Sequence, residues 1–211
     1  MTGAVSSAWR AAWKERPLRF QILATPVALA LTLTALPRFL LRIEDRPGAR
    51  LADPLLSMIQ PRDASWLVFG LIYLALAVGL SVLARHPREL LVGVQAYVVM
   101  ILSRMCAMYV TALDPPAGMI GLRDPVVEFF GAGRVLTRDL FFSGHTSTLF
   151  LLFLAVPRGR YKRVLLACAA GVAAGVLWQH VHYTVDVMVA PLFAFASFKA
   201  VRAAHDRAAR A

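Results

Sequence analysis

The sequence predicts an all-α polytopic membrane protein, a bundle of six transmembrane helices with both termini cytoplasmic. Three observations carry that prediction. The 211 residues are 59% hydrophobic and only 17% charged, fewer charges than a water-soluble domain of this length carries. The apolar residues fall in blocks long enough to cross a bilayer. The basic residues collect in alternate connections, as the positive-inside rule requires.

Continuous hydrophobicity places the spans at 18–41, 66–84, 90–113, 141–157, 163–181 and 183–201. The predicted organisation is a cytoplasmic N-terminal segment at 1–17, a six-helix membrane domain at 18–201 and a basic cytoplasmic tail at 202–211. Arg10, Lys14, Arg16 and Arg19 precede the first span, and Ala28-Leu29-Ala30 loosely resembles a signal cleavage site. The apolar run continues to Leu41, which reads as an uncleaved first helix. Trp66 and Trp178 mark span ends as interfacial aromatics do. Gly171 and Gly175 form a small-xxx-small pair in the fifth span, suited to close approach by another helix. Cys106 and Cys168 both lie inside apolar blocks, where they read as small buried hydrophobes rather than a disulfide.

Charge sets the orientation. Arg10, Lys14, Arg16, Arg19, Arg85, Arg88, Arg158, Arg160, Lys162, Arg163, Lys199, Arg202, Arg207 and Arg210 share one side with Glu15, Glu89 and Asp206. On the other side arginines and acids balance, so the whole surplus of +11 falls on one face. That face is predicted to be cytoplasmic. The high charge is thereby a topology signal, and no soluble basic module with interleaved aromatics points to nucleic acid.

Two segments carry chemistry: Phe142-Ser143-Gly144-His145-Thr146, and His182-Tyr183-Thr184-Val185-Asp186. Each opens a predicted span at the outer face. Ionisable groups are costly there and mark function. His182 and Asp186 are four apart and are expected on one face of a helix start, where the carboxylate holds one imidazole nitrogen and leaves the other as a nucleophile. Ser143 is a good N-cap, and Gly144 lets a ligand approach the backbone. The N–H groups of such a helix start bind phosphate oxygens, and His145 is placed to protonate a leaving oxygen. Arg104, inside the third span, needs a partner or an anionic ligand. Arg123, Arg134 and Arg138 are outer-loop alternatives for holding phosphate, and Asp139 is a candidate to orient His145. Leu51, Leu55, Leu56 and Ile59 are spaced for a short interfacial helix, and Val126, Val127, Phe129 and Phe130 for a cover over a headgroup pocket.

These residues resemble the sphingomyelin synthase family, within the superfamily of type-2 phosphatidic acid phosphatases. Arg138-Asp139-Leu140-Phe141-Phe142-Ser143-Gly144-His145-Thr146 is similar to that family's third motif. His182-Tyr183-Thr184-Val185-Asp186-Val187 is similar to its fourth, and the stretch from Arg104 to Leu113 to its second. The resemblance implies a catalytic triad of His145, His182 and Asp186. Ser143, Gly144, Arg104, Arg138, Asp139 and Tyr183 are the candidate residues around the substrate. The resemblance also implies that no metal or other cofactor is required. The expected substrates are a membrane phospholipid and a lipid alcohol or water as acceptor. The expected activity is transfer of a phosphorylated headgroup to ceramide or diacylglycerol, with lipid phosphate phosphatase or phospholipase C-like hydrolysis as the alternative. The expected location is a bacterial inner membrane, with the site facing the periplasm or exoplasm.

The phosphatase branch often carries Lys-x6-Arg-Pro, but Phe39 stands seven residues before Arg46-Pro47. It also often has Ser-Arg ahead of the last histidine, where this chain has Gly175 and Val176. Both departures favour the sphingomyelin synthase branch. Val181 stands where that branch has an acid, and His180 reads as an interfacial residue. A metal-dependent membrane enzyme remains a rival, because two histidines and a carboxylate can form a facial metal site. A transporter is another, because intramembrane charges mark ion paths.

Overall fold

The computed structural model describes residues 2–124, 136–157 and 159–208, and they are helical throughout their regular structure. The elements are α1 (Thr2–Lys14), α2 (Arg16–Glu44), α3 (Pro54–Ser57), α4 (Ser65–Leu83), α5 (Pro87–Val110), α6 (Gly144–Ala155), α7 (Arg160–Trp178) and α8 (Thr184–Ala208). Five of them, α2, α4, α5, α7 and α8, are long and apolar enough to cross a membrane. The sequence-predicted span at 141–157 is realised as α6, which has only 12 residues. Its length is about 18 Å, short of the ~30 Å hydrocarbon core.

The packing explains why a short helix suffices there. α6 touches α4, α5, α7 and α8, so it fills the centre of the bundle rather than facing lipid. One core on its flank joins Val68, Ala75, Leu149, Leu152, Leu165, Val172 and Val176. Another joins Val92, Ala96, Met100, Leu151, Ala190 and Ala194. α2 packs mainly on α5 and leaves Phe20, Leu23, Val27 and Leu31 exposed, as a lipid-facing helix does. One polar tie fixes it: the Gln95 side-chain amide donates to Thr25 Oγ1 at 2.8 Å, and Gln95 Oε1 meets His205 Nε2 at 2.9 Å.

Burying apolar surface does little to join helices that already sit in hydrocarbon, so close backbone approach carries the packing. Gly171 and Gly175 serve this role as expected. A Cβ at Gly171 would meet Leu71, and one at Gly175 would meet Val68. Gly79 is tighter still, because a Cβ there would lie 2.5–2.6 Å from three atoms of the Leu152 side chain.

Several boundaries move. α8 runs on to Ala208, well past the predicted end at 201. Residues 2–14 form α1, an element the sequence reading left out, and its Trp9 indole donates to Ala84 O at 2.9 Å. Cys106 is exposed rather than buried, while Cys168 is buried, and both are free thiols. Val126, Val127, Phe129, Phe130, Arg134, Arg158 and Arg210 lie outside the described residues.

If Gly79 is the closest point of the α4–α6 crossing, Gly79→Ala displaces Leu152. It should lower stability by about 1–3 kcal/mol, read as a fall in the thermal midpoint of the purified protein in lipid discs.

Candidate active site

The site forms where the N-termini of α6 and α8 meet. Ser143 caps α6, with its hydroxyl accepting from Thr146 N. The backbone N–H of Ser143 itself donates to the Asp186 carbonyl at 3.1 Å. That bond ties one motif to the other across 43 positions of sequence.

Asp186 is fully buried and holds its neighbours from two sides. Its Oδ2 accepts from Tyr183 N at 3.1 Å and faces His182 Nδ1 at 3.3 Å. The first contact is the acidic half of a capping box, with Tyr183 as the cap and Asp186 three residues in. His182 therefore sits just ahead of α8 rather than in its first turn. Its i,i+4 pairing with Asp186 survives because the carboxylate folds back over the helix start. With Nδ1 held, Nε2 is the nitrogen left for chemistry.

His145 lies in the first turn of α6, its ring edge-on to Phe69 at 6.0 Å between centroids. His182, Asp139 and Arg104 are all near enough to act on it electrostatically. Its Nδ1 is buried and takes no hydrogen bond among the described residues, and neither does Asp186 Oδ1. The backbone N–H groups of Gly144 and His145 likewise find no acceptor outside their helix among the described residues. Free N–H groups beside an imidazole at a helix start suit an anionic oxygen.

Arg104 is 3% exposed and occupies the floor of the site. Its Nε donates to Phe142 O at 2.7 Å, its NH2 group to Asp139 O at 3.1 Å, and its NH1 group pairs with Asp139 at 2.7 Å. A guanidinium has five N–H donors, so these contacts leave capacity for a ligand. Gly144 lies directly over it, and a Cβ there would come within 3.1–3.4 Å of the guanidinium. Burial by itself would raise the Asp139 carboxyl, but Arg104, with lesser help from His182 and His145, holds it below the usual carboxylate range.

The part-exposed Arg138 and the buried Tyr183 brace the loops. Arg138 Nε donates to Asp114 at 2.8 Å and its NH1 group to Glu44 O at 2.6 Å. Glu44 in turn accepts from Thr137 and from Arg138 N. The Tyr183 hydroxyl donates to Asp114 O at 2.9 Å and accepts from Leu51 N. Arg123 N donates to Ser65 Oγ. His180 is buried rather than interfacial, with its two ring nitrogens on Ala117 O and Ile59 O at 2.9 and 3.0 Å. Among the described residues no three His, Cys, Asp or Glu side chains gather as metal ligands do.

Sequence reasoning missed two residues that position the site. Gln179 is fully buried, accepts from Ala64 N, and donates to Ser65 Oγ and Gly121 O. Asp53 caps both α3 and α8: it accepts from Leu55 N and Leu56 N, and from Thr184 N and Thr184 Oγ1 at 2.7 and 2.9 Å. The Asp-Pro start of α3 was a readable capping signal for the first role. Nothing in the sequence announced the second.

Residues 138–204 match a family model described as PAP2 superfamily C-terminal. The match covers both histidine motifs and supports a relation to the type-2 phosphatidic acid phosphatase superfamily. No curated protein matches the chain.

Partial burial of Asp53 opposes ionisation, yet hydrogen bonds from Thr184, Leu56 and Leu55 hold its carboxyl below the ordinary value of 3.8. A depressed carboxylate stabilises the fold above its unfolded pKa and stops doing so as pH falls through the folded one. Asp53→Asn should therefore lower the thermal midpoint at neutral pH. The gap to the wild type should close as the pH is taken down below 3.8. A gap that stays constant down to strong acid would assign the effect to packing.

Proposed function

We propose that this chain is an integral-membrane lipid phosphotransferase that works through a phosphohistidine, most closely in the manner of a sphingomyelin synthase. The observation that carries the reading is the contact of His182 Nδ1 with the buried Asp186, alongside a His145 nitrogen that has no partner among the described residues, at the meeting of two helix N-termini. The match of residues 138–204 supports the phosphatase–phosphotransferase chemistry in its coarse form.

The steps follow from those positions. His182 Nε2 attacks phosphorus in line with the lipid oxygen. The P–O bond breaks, its electron pair stays on that oxygen, and His145 gives the oxygen a proton. The phosphoryl group, with any headgroup it bears, is then on His182. Asp186 keeps Nδ1–H oriented and offsets the charge on the ring. The N–H groups of Gly144 and His145 and the floor cation Arg104 hold the phosphoryl oxygens. In the second half an acceptor hydroxyl attacks phosphorus, His145 takes its proton, and the P–N bond breaks. The phosphorylated headgroup goes to a lipid alcohol in a transferase and to water in a hydrolase.

The proposed topology puts this end of the bundle at the outer face of a bacterial inner membrane, with both termini in the cytoplasm. The support is charge. Arg85, Arg160 and Arg202 lie at the helix ends opposite the histidines, where positive residues stay inside. Departure from Lys-x6-Arg-Pro supports transfer over simple phosphatase action.

Purified protein given defined phospholipids, with and without ceramide or diacylglycerol, tests this directly. The expected product is a phosphosphingolipid or a newly headgrouped glycerolipid. Free phosphate or a free phosphorylated headgroup as the sole product assigns hydrolysis. His182→Ala should lose activity by at least about 10⁴-fold, and wild-type turnover by that variant would falsify the nucleophile assignment. Asp186→Asn should cost about 10²–10⁴-fold in kcat with KM little changed, because it acts through orientation. His145→Ala should cost about 10²–10⁴-fold, with much of the loss recovered on substrates whose leaving group needs no proton.

A further inference from the structure

At the far end of the bundle from the histidines, α4 and the first turn of α7 flank an open cavity of about 320 Å³. It is lined by Ala77, Val78, Ser81, Val82, Arg85 and Tyr161. The α4 positions follow one helical face down to the chain just past its end. α4 starts at Ser65, so the cavity lies about 18–30 Å along the helix from the end nearest the histidines.

Its walls and its rim differ in kind. Ala77, Val78 and Val82 belong to a span whose face here is apolar. The rim is cationic: Arg85 lines it directly, and Arg160 stands beside the lining Tyr161. Tyr161 accepts from the Arg160 guanidinium at 3.0 Å, which keeps its own O–H available as a donor. The same guanidinium lies 5.0 Å from the Tyr161 ring centroid, and Arg85, lining the same cavity, is near enough to act on the Tyr161 hydroxyl electrostatically. Neither Arg85 nor Arg160 pairs with a carboxylate among the described residues, whereas Arg202 at the same end is neutralised by Glu89.

We infer that this cavity binds the phosphate of an anionic glycerophospholipid from the leaflet at the basic end. The two guanidiniums and the phenol take the phosphate oxygens. The glycerol and the first part of an acyl chain lie along the Ala77–Val78–Val82 wall. A free phosphate would satisfy the rim and leave that wall in contact with water, so the lipid is the occupant that matches both parts. The site is separate from the histidine cluster and does not depend on the reaction proposed there.

The test uses the purified full-length chain in discs of phosphatidylcholine, with or without phosphatidylglycerol. Retained lipid is counted by native mass spectrometry and the thermal midpoint is measured in parallel. Phosphatidylglycerol should be retained selectively and should raise the midpoint. Arg85→Gln and Arg160→Gln should each weaken retention roughly fivefold. Tyr161→Phe should weaken it with both charges intact. Arg207→Gln, at the same end but outside the cavity, should leave it unchanged. Undiminished retention in the Arg85→Gln and Arg160→Gln proteins overturns the proposal. So does an equal loss in Arg207→Gln, which would mean a diffuse basic surface. Inorganic phosphate that raises the midpoint in phosphatidylcholine discs as much as phosphatidylglycerol does would also overturn it, in favour of a free-anion site.

Discussion

The arrangement of the histidine-bearing end depends on Asp186. Its carboxylate holds His182 and caps α8 through Tyr183 N, and its backbone carbonyl takes the N–H of Ser143. One residue thereby fixes an imidazole, starts a helix and docks the cap of a second helix. A carboxylate with no solvent exposure is expensive unless it is well partnered. These contacts meet most of that demand. Oδ1, which has no partner among the described residues, marks where the demand is left open, at the site itself.

Charge under the site follows the same economy. Arg104 sits inside a membrane-length helix and is nearly inaccessible, so it needs compensation. It finds Asp139 and two carbonyls of the 139–142 loop, which places that loop against α5 and sets the entry of α6. Gly144 completes the fit, since any side chain there would press on the guanidinium. Around this floor the connecting loops are braced in turn. Asp114 takes Gly48 N and Arg138, Glu44 takes the 137–138 turn, and Asp53 takes the start of α8. Polar groups near a bilayer must find partners inside the protein. The loops at this end are therefore joined to one another and to the start of α8 by hydrogen bonds.

The bundle and the site were legible to different degrees. The long helices announced themselves, because a continuous apolar block has few alternatives to spanning a membrane. The short central helix did not. Its run of Leu and Phe reads like any other span, and only the neighbours that surround it reveal that it needs no lipid contact. Leu149 and Leu152 belong to that run and are core in the structure. The helix at 2–14 was hidden for the opposite reason: it is too polar to register as a membrane segment, and its anchoring contact, Trp9 on Ala84, is long-range.

Sequence alone determined the class of the protein, the asymmetry of its charge, and the two short segments where cap, glycine, histidine and acid recur at helix starts. Those are local properties, set by composition, by i,i+4 spacing and by the chemistry of each side chain. Tertiary structure decided what lies next to what. It paired Arg104 with Asp139, gave Asp53 a second helix to cap, buried His180 between two loop carbonyls, and joined Ser143 to Asp186. Each of these contacts links residues far apart in the chain or depends on a loop's path. A spacing rule along one helix says nothing about such contacts, because they exist only once helices have packed and buried polar groups have had to find one another.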